Sequence, residues 1–550
     1  MRRVSTPATN ADIFPDTARI GSDGHLAVGG CDLVALAAQH GTPLYVYDEA
    51  SIRARAGQYR EALARVYPGR ATVCYAAKAY CAPWILRVVA DEGLGLDVVS
   101  GGELHAARVV GFPMDRVYFH GNNKSADELA LAFAASVGRV VVDNREEIDR
   151  LATLARDRGV RQAVLLRVGP GVAAHTHAHL QTGAADTGLG LDVVSGGELH
   201  AARVVGFPMD RVYFHGNNKS ADELALAFAA SVGRVVVDNR EEIDRLATLA
   251  RDRGVRQAVL LRVGPGVAAH THAHLQTGAA DTKFGLDIAS GAAADGVRDI
   301  LARRELELRG LHMHLGSQIA DTEAYREGVE RLFRFAAEMR ADSRLVLREV
   351  SPGGGFAVRY APDETPVDTP RMIGDVGRVV LAAARSHGFA DPLPDLTIEP
   401  GRALVATAAL ALYRVGSVKR TGARTYAAVD GGMADNIRPT AYDARYTAVL
   451  AARANDAADA RVTVAGRYCE SGDILIREAR LPLPRAGELI AIPVSGAYHL
   501  SMASNYNQVP RPAVVVVAEG RARLVRRRET YDDLLSLELD ERQEREAARD

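Results

Sequence analysis

Residues 93–187 and 188–282 of this 550-residue chain are identical at all 95 positions, in direct tandem. Each copy runs from GLGLDVVSGGELHAARVVGF to HLQTGAADT. Repeats that stack on one another diverge, because each unit adapts to its neighbours and the end units differ most. Perfect identity instead reads as a segmental duplication inside a chain that would otherwise have 455 residues, 550 less 95. Whatever the chain folds into must find room for the same stretch twice.

The repeated stretch alternates short apolar segments with amphipathic ones. GLDVVS (95–100), RVYFHG (116–121), RVVVD (139–143) and QAVLLRVGP (162–170) read as strands, with GELHAARVVG, SADELALAFAAS and NREEIDRLATLARDRG as the helices between them. TVCYAAKA precedes the repeat, and KFGLDI, ELRGLHMHLGS, LREVSPGGG and DLTIEPGR follow it, mostly with helical segments between. Strands alternating with helices predict parallel βαβ units. About eight of them predict an α/β fold, a TIM-like (β/α)8 barrel with its chemistry at the carboxyl ends of the strands. A barrel closed by eight strands has no place for about three more βα units, so one copy is an extra duplicated segment. Beyond about residue 405, strand-like stretches separated by turns predict a C-terminal antiparallel β domain, to which HLAVGGCDL near the N-terminus adds strands. The expected division is an N-terminal segment 1–45 joining the β domain, a barrel over 46–405, the β domain over 406–535, and a charged tail over 536–550.

Composition narrows the function classes. The chain is 47% hydrophobic and 25% charged with a formal net charge of -2, which argues against a general nucleic-acid or acidic-membrane surface. No stretch approaches the roughly 18 unbroken apolar residues of a membrane helix, and MRRVSTPATNADIFPD lacks the apolar core of a secretory signal. Four cysteines (Cys31, Cys74, Cys81, Cys469) with no CxxC pair are not a disulfide scaffold and point to a reducing, cytoplasmic setting. The alternating histidines of HTHAH (175–179 and 270–274) share one face of an extended segment, but no Cys, Asp or Glu completes a set, and no metal is predicted.

The chemistry-bearing positions fall at predicted strand ends. Lys78 closes the apolar strand TVCYAAKA; poor solvation there would lower its pKa and leave a nucleophilic amine, although the position alone favours a surface lysine with a buried stem. His314 stands two residues before the Gly316-Ser317 turn, placed either to stack on a ring or to fill a barrel layer. Gly353, Gly354 and Gly355 end another strand and let backbone N–H groups approach an anion. Glu399, in EPGR, can hold a pyridine nitrogen protonated or pair with Arg402. Cys469 and Glu470 stand beside the flexible turn of CESGD, where a lone cysteine is as readily a small buried hydrophobe. Arg438 offers a bidentate fork for a carboxylate, with Tyr442 near it in sequence, and Tyr498 offers a phenol. Together these are the parts of a pyridoxal-phosphate site, in barrel order.

The stretches HGTPLYVYDEA, YAAKAY, GLDVVSGGEL, FHGNNKS, HTHAHLQTG, KFGLDIASG, GLHMHLGSQI, PGGGF, EPGR, VDGGMADNIRPTAY, CESGDIL and GAYHLSMASNYN make the chain resemble the diaminopimelate decarboxylase family, alanine-racemase-like (fold type III) enzymes. The resemblance implies a barrel plus β domain, pyridoxal 5'-phosphate as cofactor, meso-diaminopimelate as substrate, and a homodimer with shared active sites. It implies that Lys78 joins the cofactor covalently, His314 stacks on its ring and Glu399 meets its ring nitrogen. Ser317, Gly353, Gly354, Gly355, Gly401, Arg402 and Tyr498 would lie at its phosphate. Arg402, Arg438 and Tyr442 would grip the substrate's distal carboxylate. Cys469 would donate a proton and Glu470 would read the distal amine, both from the partner subunit. CESGD favours diaminopimelate over substrates lacking that carboxylate. YAAKAY departs from the YAVKAN of many relatives, and the family's positions within the repeat fall twice: Asp97 and Asp192, His105 and His200, His120 and His215, Asn122 and Asn217. A related decarboxylase with another amino-acid substrate, or a cofactor-binding chain made inactive by the duplication, are the alternatives.

Overall fold

The computed structural model describes residues 2–3, 12–98 and 286–536 apart from 305; between 99 and 285 it describes the strands named below, the helix Arg240–Asp252, and a few short stretches. The chain divides into two compact units, one of residues 52–358 and 366–405, the other of 1–51, 359–365 and 406–550.

The first unit is built on a parallel sheet. Its centre is four neighbouring strands: Ala71–Ala76, Asp395–Glu399, Glu349–Gly354 and Leu306–His312. Ala71–Ala76 is a near-continuous apolar run, as a sheet covered on two sides favours, and its last five residues are all buried. Helices pack alongside. In Glu323–Ser343 the residues Tyr325, Val329, Leu332, Phe333, Ala336 and Met339 recur at helical spacing and are buried. Helix Thr369–Ser386 starts where the Asp368 side chain accepts the Arg371 N–H and proline fills an early position.

The repeat enters this sheet from both sides. The first copy continues outward from Ala71–Ala76 as Gly95–Val98, Val117–Phe119, Arg139–Val142 and Val164–Leu166. The second continues from Leu306–His312 as Gln257–Gly264, Arg234–Val237, Val212–Phe214 and Leu191–Val193. The expectation of an eight-strand ring with one copy left outside is corrected: among the described strands the path runs open from Val164–Leu166 to Leu191–Val193. Covalent continuity is the reason. The first copy directly follows the Lys78 strand, the second runs into the His314 strand, and identical sequences compete equally for the same seats. Arg139–Val142 accordingly lies beside its twin Arg234–Val237, and Val164–Leu166 beside Gln257–Gly264. Arg234 of the second copy reaches the buried Glu349 carboxylate with Nε at 3.0 Å from both oxygens, joined by Arg309 Nε at 2.6 Å. An unpaired Glu349 there would be strongly unfavourable.

The second unit holds a sheet in the order Ile474–Leu481, Ala460–Ala465, Arg424–Val429, Ala409–Thr421, Leu44–Asp48, Ala513–Ala518 and Arg521–Arg526, with Leu489–Pro493 also paired to Ala409–Thr421. It is mixed rather than antiparallel: Leu44–Asp48 runs parallel to Ala513–Ala518, and Arg424–Val429 parallel to Ala460–Ala465. Both pairs are joined by long connections, which permit either direction where a tight hairpin would not. HLAVGGCDL does not enter this sheet. Its strands Leu26–Val28 and Cys31–Asp32 belong to a separate antiparallel sheet of four with Arg2–Arg3 and Arg19–Ile20. Residues 537–550 of the charged tail, and HTHAH in both copies, lie outside the described residues.

Candidate active site

In the first unit the carboxyl ends of the four central strands carry the residues picked out from the sequence. Ala71–Ala76 ends in the 3₁₀ turn Ala77–Ala79, which presents a partly exposed Lys78. The EPGR turn packs directly on it: a Cβ at Gly401 would stand 2.8 Å from Ala76 Cβ and 3.4 Å from Ala79 Cβ, so this position tolerates only glycine.

Glu399 is 4% exposed and accepts the Ser351 hydroxyl at 2.6 Å, with His312 Nε2 3.6 Å away. Ser351 Oγ in turn accepts the Gly353 N–H at 3.0 Å. The glycine run is packed backbone to backbone: a Cβ at Gly354 would strike the Glu399 carbonyl, and one at Gly355 the Gly316 carbonyl. Gly353 and Gly355 also take φ of 81° and 94°, the left-handed region. His314 Nδ1 accepts the Gly354 N–H at 3.2 Å. A backbone N–H can only donate, so this ring carries its proton on Nε2. Arg402, also buried, donates through Nη2 to Ser317 Oγ at 2.9 Å. The turn that carries Lys78 packs on Gly401, and Glu399, Gly354, His314, Ser317 and Arg402 follow from it in contact across four strand ends.

In the second unit, the buried Arg438 opens the short helix Arg438–Tyr442, and Tyr442 at its far end is half-buried. Tyr498 holds φ 60°, a left-handed conformation a bulky residue seldom takes. Cys469 is exposed, and Glu470 beside it accepts the Tyr506 hydroxyl. Asp473 fixes this loop: its buried carboxylate accepts the N–H of Met433 at 2.7 Å and of Tyr468 at 2.8 Å, tying CESGD to the segment leading into Arg438. Burial pushes the Asp473 carboxyl above its ordinary range.

Sequence reasoning did not single out Ser351, Asp435, Tyr446, Asp473, His499 or Tyr506. Asp435, Asp473, His499 and Tyr506 all fall inside stretches quoted for the resemblance, which was the available signal. Asp97 and Asp192 sit on strands of the two copies; His105, His120, Asn122 and their counterparts lie outside the described residues.

An amine, a buried carboxylate, a histidine ring and a glycine-hydroxyl-guanidinium corner thus stand at adjacent strand ends, groups of the kinds a pyridoxal-phosphate site uses. The pattern of the family described as pyridoxal-dependent decarboxylase, pyridoxal binding domain, matches residues 49–187 and again 184–406. The diaminopimelate decarboxylase of Bacillus subtilis (strain 168) is 37% identical over 525 residues, 95% of this chain and 97% of that protein. That of Actinosynnema pretiosum is 37% identical over 535 residues, 97% of each. Among solved structures, the diaminopimelate decarboxylase of M. jannaschii in complex with L-lysine aligns with a TM-score of 0.73 and 27% identity, covering 96% of this chain and 99% of that one. The chain belongs to the diaminopimelate decarboxylase family.

The residues present fit pyridoxal phosphate. The glycine corner leaves no room for side chains, Ser317 and Arg402 supply anion-binding donors beside it, and Glu399 is a buried carboxylate already fixed by Ser351.

Proposed function

We propose that this chain removes one carboxylate of meso-2,6-diaminopimelate as carbon dioxide and releases L-lysine, using pyridoxal phosphate held at the strand-end set. The observation that carries the reading is the convergence of Lys78, Glu399, Gly354 and His314 on the carboxyl ends of four adjacent parallel strands, with Arg402 beside them. When bound, the cofactor supplies an electron sink for the pair left behind as carbon dioxide departs. Lys78 would hold it covalently and yield its place to the substrate amine. Glu399, oriented by Ser351, would keep the ring nitrogen protonated, and His314 would lie against the ring. Ser317, Arg402, the three glycines and Tyr498 would hold the phosphate.

Arg438, with Arg402 and Tyr442, would bind the distal carboxylate. Glu470 would read the distal amine, and the exposed Cys469 thiol would return a proton to the α-carbon. Both of these come from the partner subunit in the homodimer we infer. Four free cysteines, two of them buried, support a reducing cytoplasmic setting.

The test is carbon dioxide release from meso-diaminopimelate, with Lys78→Ala as control. The variant should lose at least about a thousandfold in kcat; equal turnover would refute the role of Lys78. Glu470→Ala should depress turnover of this substrate, and an unaffected rate would favour a different amino acid. The entry of both repeat copies into one sheet favours a second reading, a chain that binds cofactor without turnover; it predicts the cofactor's visible absorbance with no product. Either way we read residues 93–282 as a duplication, which sequencing the source DNA would check.

A further inference from the structure

Arg438 is a buried cation that no carboxylate in the described structure neutralises directly. It is 5% exposed, and its guanidinium lies 4.7 Å from the Tyr360 ring centroid. Its one hydrogen bond among the described residues runs from Nη1 to the Tyr446 hydroxyl; Nε is buried without a partner. Tyr446 Oη stands 2.7 Å from His499 Nε2. His499 is 1% exposed, and its Nδ1 stands 3.2 Å from the Tyr45 hydroxyl. Tyr45 reaches Asp435 at 3.0 Å on the carbonyl and 3.2 Å on Oδ2, where the Tyr413 hydroxyl also donates. Asp435 is buried too, its Oδ1 accepting the Gly432 N–H at 2.9 Å.

With His499 neutral, one order of donors and acceptors satisfies both ends of this row. A guanidinium has only protons to give, and a carboxylate only lone pairs. Arg438 therefore donates to Tyr446, Tyr446 to His499 Nε2, His499 Nδ1–H to Tyr45, and Tyr45 to Asp435. The ring edges agree with this order: Tyr446 and His499 meet edge-to-face at 5.3 Å, as do His499 and Tyr45 at 5.9 Å. In this order His499 carries its proton on Nδ1, accepting from one tyrosine hydroxyl and donating to the other.

From this we infer that His499 is a positioning and specificity-determining residue. Through Tyr446 it holds the Nη1 corner of Arg438, leaving the Nε–Nη2 edge to bind a substrate carboxylate side-on with two parallel hydrogen bonds. Asp435 terminates the row and balances the buried charge at a distance, so Arg438 is not locked into an ion pair that a substrate would have to displace. The inference rests on the proposed role of Arg438 at the distal carboxylate.

The experiment uses the full chain loaded with cofactor and two competitive inhibitors: L-lysine, and 1,5-diaminopentane, which is L-lysine without its carboxylate. In the wild type L-lysine should bind the more tightly. His499→Phe keeps the ring packing and breaks the row. It should raise the L-lysine inhibition constant roughly tenfold or more, move that of diaminopentane less than twofold, and raise KM for meso-diaminopimelate more than it lowers kcat. His499→Gln, whose amide can accept from Tyr446 and donate to Tyr45, should recover most of the loss. Tyr446→Phe should reproduce the selective loss, and serves alone if His499→Phe does not fold. Equal weakening of both inhibitors, or none, overturns the inference. A wild type that neither decarboxylates diaminopimelate nor prefers L-lysine would instead sink the functional reading beneath it.

Discussion

The Ser351 hydroxyl donates to the Glu399 carboxylate at 2.6 Å while accepting the Gly353 N–H at 3.0 Å. One side chain thereby ties the carboxylate of one strand to the glycine corner of the next. Ser351→Ala removes a hydrogen bond to a buried charged group and leaves Glu399 free to turn. We expect kcat to fall about tenfold with the fold intact, and cofactor to dissociate more readily in dilution experiments. Unchanged kinetics would show that Glu399 is held by the strand alone.

Gly401 presses against Ala76 and Ala79 on either side of Lys78. Gly401→Ala puts a methyl group where there is no space, and one backbone must shift. Overpacking of this kind destabilises by about 1–3 kcal/mol, and the shift falls on the Lys78 turn. The expected result is a lower urea midpoint together with reduced cofactor content, read from the visible absorbance band. Lower stability with full cofactor content would separate the glycine from the site.

Because the two copies are identical, deleting residues 93–187 or 188–282 yields the same 455-residue chain, 550 less 95. Four strands from one copy with the four central strands complete the count for an eight-strand barrel. The shortened chain should therefore melt higher, give more soluble protein and turn over faster per chain. A shortened chain without activity, beside an active full-length one, would show that both copies are required.

Burial pushes the Asp435 carboxyl up to about 6, against roughly 3.9 in an unfolded chain. The folded state thus holds this proton more tightly, and the group's contribution to stability is present below about pH 4 and lost as pH rises through about 6. Hydrogen bonds from Tyr413, the Gly432 N–H and Tyr45 pull it down, and the nearby Asp473 charge adds to the rise. Asp435→Asn stays neutral throughout. The melting temperature of wild type minus that of the variant should fall between pH 4 and pH 7, and a difference that is flat or rises would contradict the assignment.

Much of the strand-end set was legible before any coordinates. A lysine after TVCYA, three glycines after EVSP, a histidine before Gly-Ser and a carboxylate after DLTI are local patterns, and local patterns survive folding. The partners of those residues were not legible. Ser351 reads as an ordinary strand serine until the neighbouring strand brings Glu399 to it. The row from Arg438 to Asp435 depends on Tyr45 meeting His499 from the far end of the chain. The β domain was misread as antiparallel because strand direction depends on long connections that leave no local mark.

Taken alone, the amino-acid order settled the alternation of strands and helices, the residue types able to serve a pyridoxal cofactor, and the presence of one segment twice, since each of these is written in spacing or identity along the chain. Tertiary structure decided which edge each copy took, which hydroxyl holds Glu399, and how a buried guanidinium is balanced by a distant carboxylate. Those outcomes depend on hydrogen-bond direction and close packing between residues from different elements, as far apart in the chain as Tyr45 and His499, where neither spacing nor composition carries information.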